Sequence, residues 1–509
     1  MSSSITRRSR PFWNSLPPEI RLLILRCIDL NSGSKETVRA SSLATVSQEW
    51  QSFFEGETFR RLALASPDLP AFSKVVRGKN AIRLSYIKNL HLCVRLAEYT
   101  KRIYDKPESA TNIKGNNRIF TSAMTVLLNS LSSWEGTRGG LTLEINAHSP
   151  SDQIFHRSEG EVHDDYPIRF EEDLEDWPSF LEYLRDKRAA RVTSVAVPRK
   201  VRRAAARRLR GTPLELLPQR QKRGTSTGTG STNGLPRVPI VKGLVIRRSF
   251  FRGIAPKSIA TLLRESFVAL ESFYLQRWIG QMVKNEVKWF DDLQTCLMPT
   301  LPPSVKRFSF DQSWRWDSCQ YALTPNKFKG LTRLMATSCH RFIEFSPPLV
   351  FDCFIFLWQL AQGEKNEESK LQHLTLKTRY LRPRVRQDIM TDFLVIAARA
   401  AMKMPQIRIL EIWNSGHGFG FLFRYTQDSH RATITWRVVE SQFVLMPRVI
   451  GAWAKVASTR PLAIERIPFT EADGNGTSFN HTSIHRHLAL RRLAFDPITE
   501  AQMTASMIL

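Results

Sequence analysis

The chain has 509 residues, 42% hydrophobic and 24% charged, with 74 Lys and Arg against 47 Asp and Glu and a formal charge of +27. That composition excludes a disordered or fibrous polymer and supplies enough apolar residues for two or three domains, or for one extended array of repeats. Six scattered cysteines without a C-x-x-C pair speak against a disulfide scaffold. The opening MSSSITRRSRPFW has no apolar core of a signal peptide, so the expected location is the nucleus and/or cytoplasm rather than a secreted one. The most apolar run, PPLVFDCFIFLWQLA, is too short to span a bilayer and contains Asp352; it reads as buried core, and no membrane partner is expected.

In chain order, the first element is WNSLPPEIRLLILRCI, residues 13–28. Pro17 and Pro18 fix where a helix begins, and Glu19 falls in the first turn, where the helix dipole favours an acid. Ile20, Leu23, Ile24 and Ile28 share one face, while Leu22 and Leu25 point elsewhere. A short helix cannot bury two apolar faces inside a small module, so the second face needs a neighbour. After the turn NSGS, the stretch KETVRASSLATVSQEWQSFFEGETFRRLAL places Leu43, Val46, Trp50, Phe53 and Phe54 at helical spacing. Residues 11–65 therefore read as a compact helical module.

The pattern Leu16-Pro17-x-Glu19-Ile20, then an apolar helix, then Leu43-x-x-Val46-Ser47-x-x-Trp50, resembles an F-box. The longer pattern, continuing to YIKNLHL, is similar to fungal F-box-like proteins. The resemblance implies a three-helix module that docks on a Skp-type adaptor and so joins a cullin–RING ubiquitin ligase core. It assigns adaptor contact to Leu16, Pro17, Ile20, Ile24 and Trp50, with Leu23 and Val46 in support. Where the family often has Cys before a basic residue and Trp, this chain has Ser47-Gln48-Glu49-Trp50. The competing reading is a helical cap that packs only on its own chain.

Beyond residue 65 one pattern recurs, apolar-x-x-apolar-x-apolar: IKNLHL, VKGLVI, LESFYL, VKRFSF, LTRLMA, LQHLTL, IRILEI and LRRLAF. The alternation within each hit reads as a short strand with one buried face, and helical stretches precede several of them. Helix plus L-x-x-L-x-L resembles a leucine-rich repeat, here with ragged spacing. The expected fold class is thus α+β and multidomain: the F-box-like module, then an irregular α/β leucine-rich-repeat-like solenoid. The expected boundaries are 11–65 for the module, 66–158 for the first repeats, 159–236 for a charged insertion or linker, and 237–509 for the main repeat region. In such an array a client protein meets the outward residues of the strands and the loops after them. Those positions hold Arg247, Arg277, Trp278, Trp314, Trp316, Arg379, Tyr380 and Trp413, with Arg248, Gln276, Asp311, Lys377 and Asn414 beside them. Trp and Arg are the types that dominate binding hot spots.

Charge is concentrated in the insertion. Residues 159–176 hold nine acids against Arg169, and 187–223 hold 13 Lys and Arg against Glu215. Three readings stand: a solvated insertion whose blocks pair, a nuclear localisation signal, or a phosphate-binding segment for nucleic acid. Aromatic residues that would stack on bases are missing from the basic run. Enzyme motifs are weak. GHGFGF is not G-x-G-x-x-G, GTSTGTGSTNG lacks the G-K-[ST] of a phosphate loop, and His481, His485 and His487 have no nearby Cys or carboxylate in sequence to complete a metal set. The expectation is a non-catalytic receptor with no cofactor and no metal; the alternative is a basic nuclear nucleic-acid-binding or scaffold protein without a ligase role.

Overall fold

The computed structural model describes residues 13–28, 40–134, 140–156, 169–176, 179, 182, 185–186, 199–218, 234–248, 251–280, 282–313, 328–348, 353–364, 366–439, 443–470, 473 and 479–508. Twelve strands form one open sheet in which spatial order follows chain order. They are β1 (Arg61–Ala65), β2 (Asn89–Arg95), β3 (Leu141–His148), β4 (Val241–Ile246), β5 (Ser272–Trp278) and β6 (Arg307–Ser313). Then come β7 (Glu344–Ser346), β8 (His373–Lys377), β9 (Ile409–Gly416), β10 (Phe419–Gln427), β11 (Ala432–Val438) and β12 (Leu462–Arg466). β1 to β9 pair in parallel, β9–β10–β11 form an antiparallel meander, and β12 pairs in parallel with β11. The fold class is α+β with a mostly parallel sheet.

The register explains why the apolar motif recurs. Leu62, Leu90, Leu143, Leu244, Phe273, Phe308, Phe345, Leu374 and Leu410 stand opposite one another in succession, one per strand. With side chains alternating across each strand, one apolar position sets the whole face. This ladder and the apolar residues two places on enter a single core with helix residues such as Phe120, Leu127, Leu263, Phe290, Met335, Phe356, Phe393 and Trp453. Phe308, Phe342 and Phe345 stack at its centre with ring centroids 5.4–5.6 Å apart. Helices from several of the connections, among them Ala110–Leu131, Pro256–Glu265, Val283–Asp292, Lys329–Ser338 and Gln387–Ala401, pack on this one face of the sheet. The run read as core forms helix Cys353–Gln362, with Phe356, Leu357 and Leu360 buried. Among the described residues no helix is long and apolar enough to cross a membrane.

Two expected strands are corrected. LTRLMA lies within helix Lys329–Ser338, and LRRLAF contains the short helix Arg491–Ala494. Apolar residues three apart fit one face of a helix as well as a motif strand, and burial of Leu331 and Met335 selects the helix. The true strand after the first of these is the three-residue β7. GHGFGF is the β9–β10 hairpin, where Gly418 takes φ +74, a conformation that disfavours side-chain-bearing residues.

Candidate docking surfaces

At the N-terminus, helix Pro18–Arg26 starts directly after Pro17, and helix Gln48–Phe59 is capped by Ser47, whose hydroxyl oxygen accepts from the Trp50 amide at 3.3 Å. Each helix turns one large apolar residue fully inward, Leu25 and Phe54. The opposite side stays open. Ile20 is 42% exposed, Leu22 41%, Leu23 53%, Ile24 39% and Val46 59%. Ile20, Leu23 and Ile24 share one face of the helix, so three large aliphatic side chains stand exposed together rather than singly, while Leu22 is exposed on another side of the helix and Val46 in the bend before the second helix. Pro17 is exposed and Leu16 half-buried. Trp50 is half-buried too, its ring 5.5 Å from Trp13 and 5.7 Å from Phe54, so it supports the helices from within.

Glu49, where the chain departs from the F-box pattern, has a structural task. It accepts from the Trp13 indole N–H at 2.8 Å and pairs with Arg21 at 3.1 Å, joining the two helices. Glu55 pairs with both ends of the Arg83 guanidinium, at 2.9 and 2.5 Å, and so fastens the helices to the sheet-bearing body. The Arg83 hydrogen bond holds Glu55 below its ordinary carboxyl range.

The second candidate surface is the sheet face opposite the helices, where the client was expected. It is strongly polar: His91, Glu144, Asn146, Arg247, Gln276, Ser309, Thr375 and Glu411 all lie there, and most of it is covered by the chain's own C-terminal segment. Glu411, fully buried, accepts from the Ala489 and Leu490 amides at 2.7 and 2.9 Å and from Arg424 at 2.7 Å. Ser309 donates to the Leu493 carbonyl at 2.8 Å, Ser415 to that of His481 at 2.9 Å, and Thr499 to Gln276 at 2.8 Å. Trp413, 2% exposed, forms a second small core there with Leu422, Phe469, Phe479, Ile484, Leu488, Ala494 and Phe495.

The expected client residues therefore fall in different settings. Arg247 is half-buried between Asp496, at 2.7 Å, and Glu144. Burial opposes its charge, and the two carboxylates more than offset this, raising its pKa. Arg277 makes two 2.7 Å bonds to Glu286 and lies over the Trp289 ring. Trp278 is half-buried, stacked on Phe251, with its N–H on the Arg248 carbonyl. Tyr380 packs between Phe354 and Phe393, and Arg379 is exposed. Trp314 and Trp316 lie outside the described residues. Arg247 and Trp413 are thus occupied on the polar sheet face, and Arg277, on the core side of β5, is occupied by helix Val283–Asp292. That the tail supplies partners for Arg247 and Trp413 has no periodic signature in the sequence.

Between the tail, turn Glu171–Asp176 and strands β2–β4 a cavity of about 790 Å3 remains, lined by His91, Glu144, Arg247, Arg491 and Glu500 among others. Its charges are largely paired: Arg491 with Glu500 at 2.7 Å, and Arg492 with Glu171. Among the described residues no group of three or more His, Cys, Asp or Glu is arranged to hold a metal ion. Of the basic segment, helix Arg199–Arg210 is described. Arg208 and Arg210 are buried, Arg208 over the Tyr99 ring at 4.7 Å and 3.3 Å from Asn112, so this end packs on the body instead of facing solvent.

Residues 300–496 match the model of a family of unknown function, DUF6546. The DUF6546 match runs from just before β6 to Asp496, the residue that grips Arg247, and so takes in β6 to β12 together with much of the tail that lies on them. No curated protein and no solved structure matched the chain.

Proposed function

We propose that this chain is the substrate-receptor subunit of an SCF-type cullin–RING ubiquitin ligase. Its N-terminal F-box-like helices dock on a Skp-type adaptor, and the body, read as an irregular leucine-rich-repeat-like solenoid, carries the client. Ubiquitin transfer is done by partner subunits, so the chain needs no catalytic residue of its own. The observation that carries the reading is the open aliphatic face of Ile20, Leu23 and Ile24 on a helix whose inward position, Leu25, is already filled, with Leu22 and Val46 exposed nearby in the chain. Covering such a face yields roughly 25 cal/mol per Å2 before the costs of association. The Glu55–Arg83 pair gives the module a fixed seat on the body, which a receptor needs to present its client in a set direction.

The test is co-purification with a Skp-type adaptor. Leu16→Ala combined with Pro17→Ala, and separately Ile20→Asp, should abolish capture while circular dichroism stays unchanged. Undiminished capture by both variants refutes the docking site.

A further inference from the structure

With the polar sheet face covered by the tail, a client engages elsewhere, and the loops beside β8 and β9 combine exposed apolar side chains with unbalanced charge. The loop after β8 carries Arg382 and Arg384, both exposed and without an acidic partner among the described residues. It leads into helix Gln387–Ala401, whose Ile389 is 41% exposed. The loop before helix Pro447–Ala457 carries Val444, 51% exposed, and Met446, 39% exposed. Gln387 joins the two loops by donating its side-chain N–H to the Val444 carbonyl at 2.9 Å. The surrounding ion pairs, Arg386–Asp388 at 2.5 Å and Arg448–Asp392 at 2.7 Å, are each neutral, so Arg382 and Arg384 set the sign. Both helices also begin at this patch, which adds partial positive charge from their free amides.

We infer that this patch is the client-docking surface and that its partner is an acidic protein segment with interspersed aliphatic side chains. The inference rests on the receptor reading above. The charge calls for carboxylates, and Ile389, Val444 and Met446 call for aliphatic anchors. A single-stranded nucleic acid satisfies the charge but wants aromatic stacking platforms, which these three residues do not offer. The patch lies beside β8 and β9, whereas the adaptor face adjoins β1. Eight strand spacings separate β1 from β9, about 40 Å of sheet. The two docking sites therefore do not compete for space.

The probe is a fluorescein-labelled peptide of Glu and Asp with Leu at every third position, titrated with the full chain and read by anisotropy. Its Lys-for-acid counterpart, oligothymidine and phosphatidylserine vesicles serve as comparisons. The acidic peptide should bind saturably and more weakly as salt rises. Arg382→Glu with Arg384→Glu should weaken it about tenfold or more, and Val444→Ser with Met446→Ser should weaken it several-fold. Leu16→Ala with Pro17→Ala should leave it unchanged, so loss of adaptor capture and loss of peptide binding are read separately. Lack of saturable binding at millimolar peptide, wild-type affinity in both patch variants, or tighter binding of oligothymidine or vesicles through the same residues overturns the inference.

Discussion

Removing the Glu411 carboxylate should release the C-terminal segment from the sheet. In Glu411→Ala, three donors lose their acceptor: the Ala489 and Leu490 amides and the Arg424 guanidinium. Breaking a buried pair from one side costs about 3–5 kcal/mol, and each orphaned buried amide about 1–3 kcal/mol. These do not add fully, because a loosened tail admits water to the same groups. A local cost of about 4 kcal/mol is the working figure, which is about a thousandfold in the opening equilibrium. Glu411→Gln keeps an acceptor oxygen and should lose about tenfold. The assay is amide hydrogen exchange followed by mass spectrometry on peptides covering residues 485–500, with peptides from helix Ala110–Leu131 as the internal reference. If Glu411→Ala leaves exchange in the tail within a factor of about three of wild type, the tail is not held by this carboxylate and the account of the covered face fails.

Two further outcomes follow from the same geometry. His487 lies 2.9 Å from Asp473 and 2.8 Å from Arg437, and burial together with Arg437 pulls its pKa down to about 4. The unfolded chain takes up the proton near pH 6.5, so stability present above that pH is lost as pH falls towards 4. Burial shifts His91, His481 and His485 downward as well, which adds to the same slope. Tail exchange measured across this window should show His487→Gln with a shallower dependence than wild type; an identical slope refutes the assignment. Phe308→Ala, at the centre of the Phe273, Phe342 and Phe345 stack, should cost about 3–5 kcal/mol in urea unfolding, and a loss under about 1 kcal/mol would show that the stack relaxes around the gap.

Much of the sheet was legible because its side-chain period is two and its apolar ladder is in register. IKNLHL, VKGLVI, LESFYL, VKRFSF, LQHLTL and IRILEI each contribute the ladder residue of one parallel strand. β1 was hidden because RLALA follows a helix and reads as its continuation, and β7 because three residues give no period. β3 escaped because LTLEINAH has no apolar residue three places before its ladder position Leu143. Of the exposed aliphatic face, the mismatch between apolar content and helix size was readable from residues 13–28. Which residues stay outside was not: Leu25, off the Ile20–Leu23–Ile24 face, is the one that turns in, and Trp50 is half-buried against Trp13 and Phe54. The covering of the polar face depends on Glu411, Arg247 and Ser309 meeting residues some 80 to 250 positions later in the chain, a separation that no local pattern encodes.

A sheet whose strands touch only their chain neighbours would be free to fray from either edge, one unit at a time. The strap from His481 to Thr499 removes that freedom. It is tied to β5, β6 and β9 and, through Arg247, to the end of β4, so strands that never meet share one fastening. Separating any of them has to lift the strap from all, which turns a row of independent links into a unit that holds or gives way together.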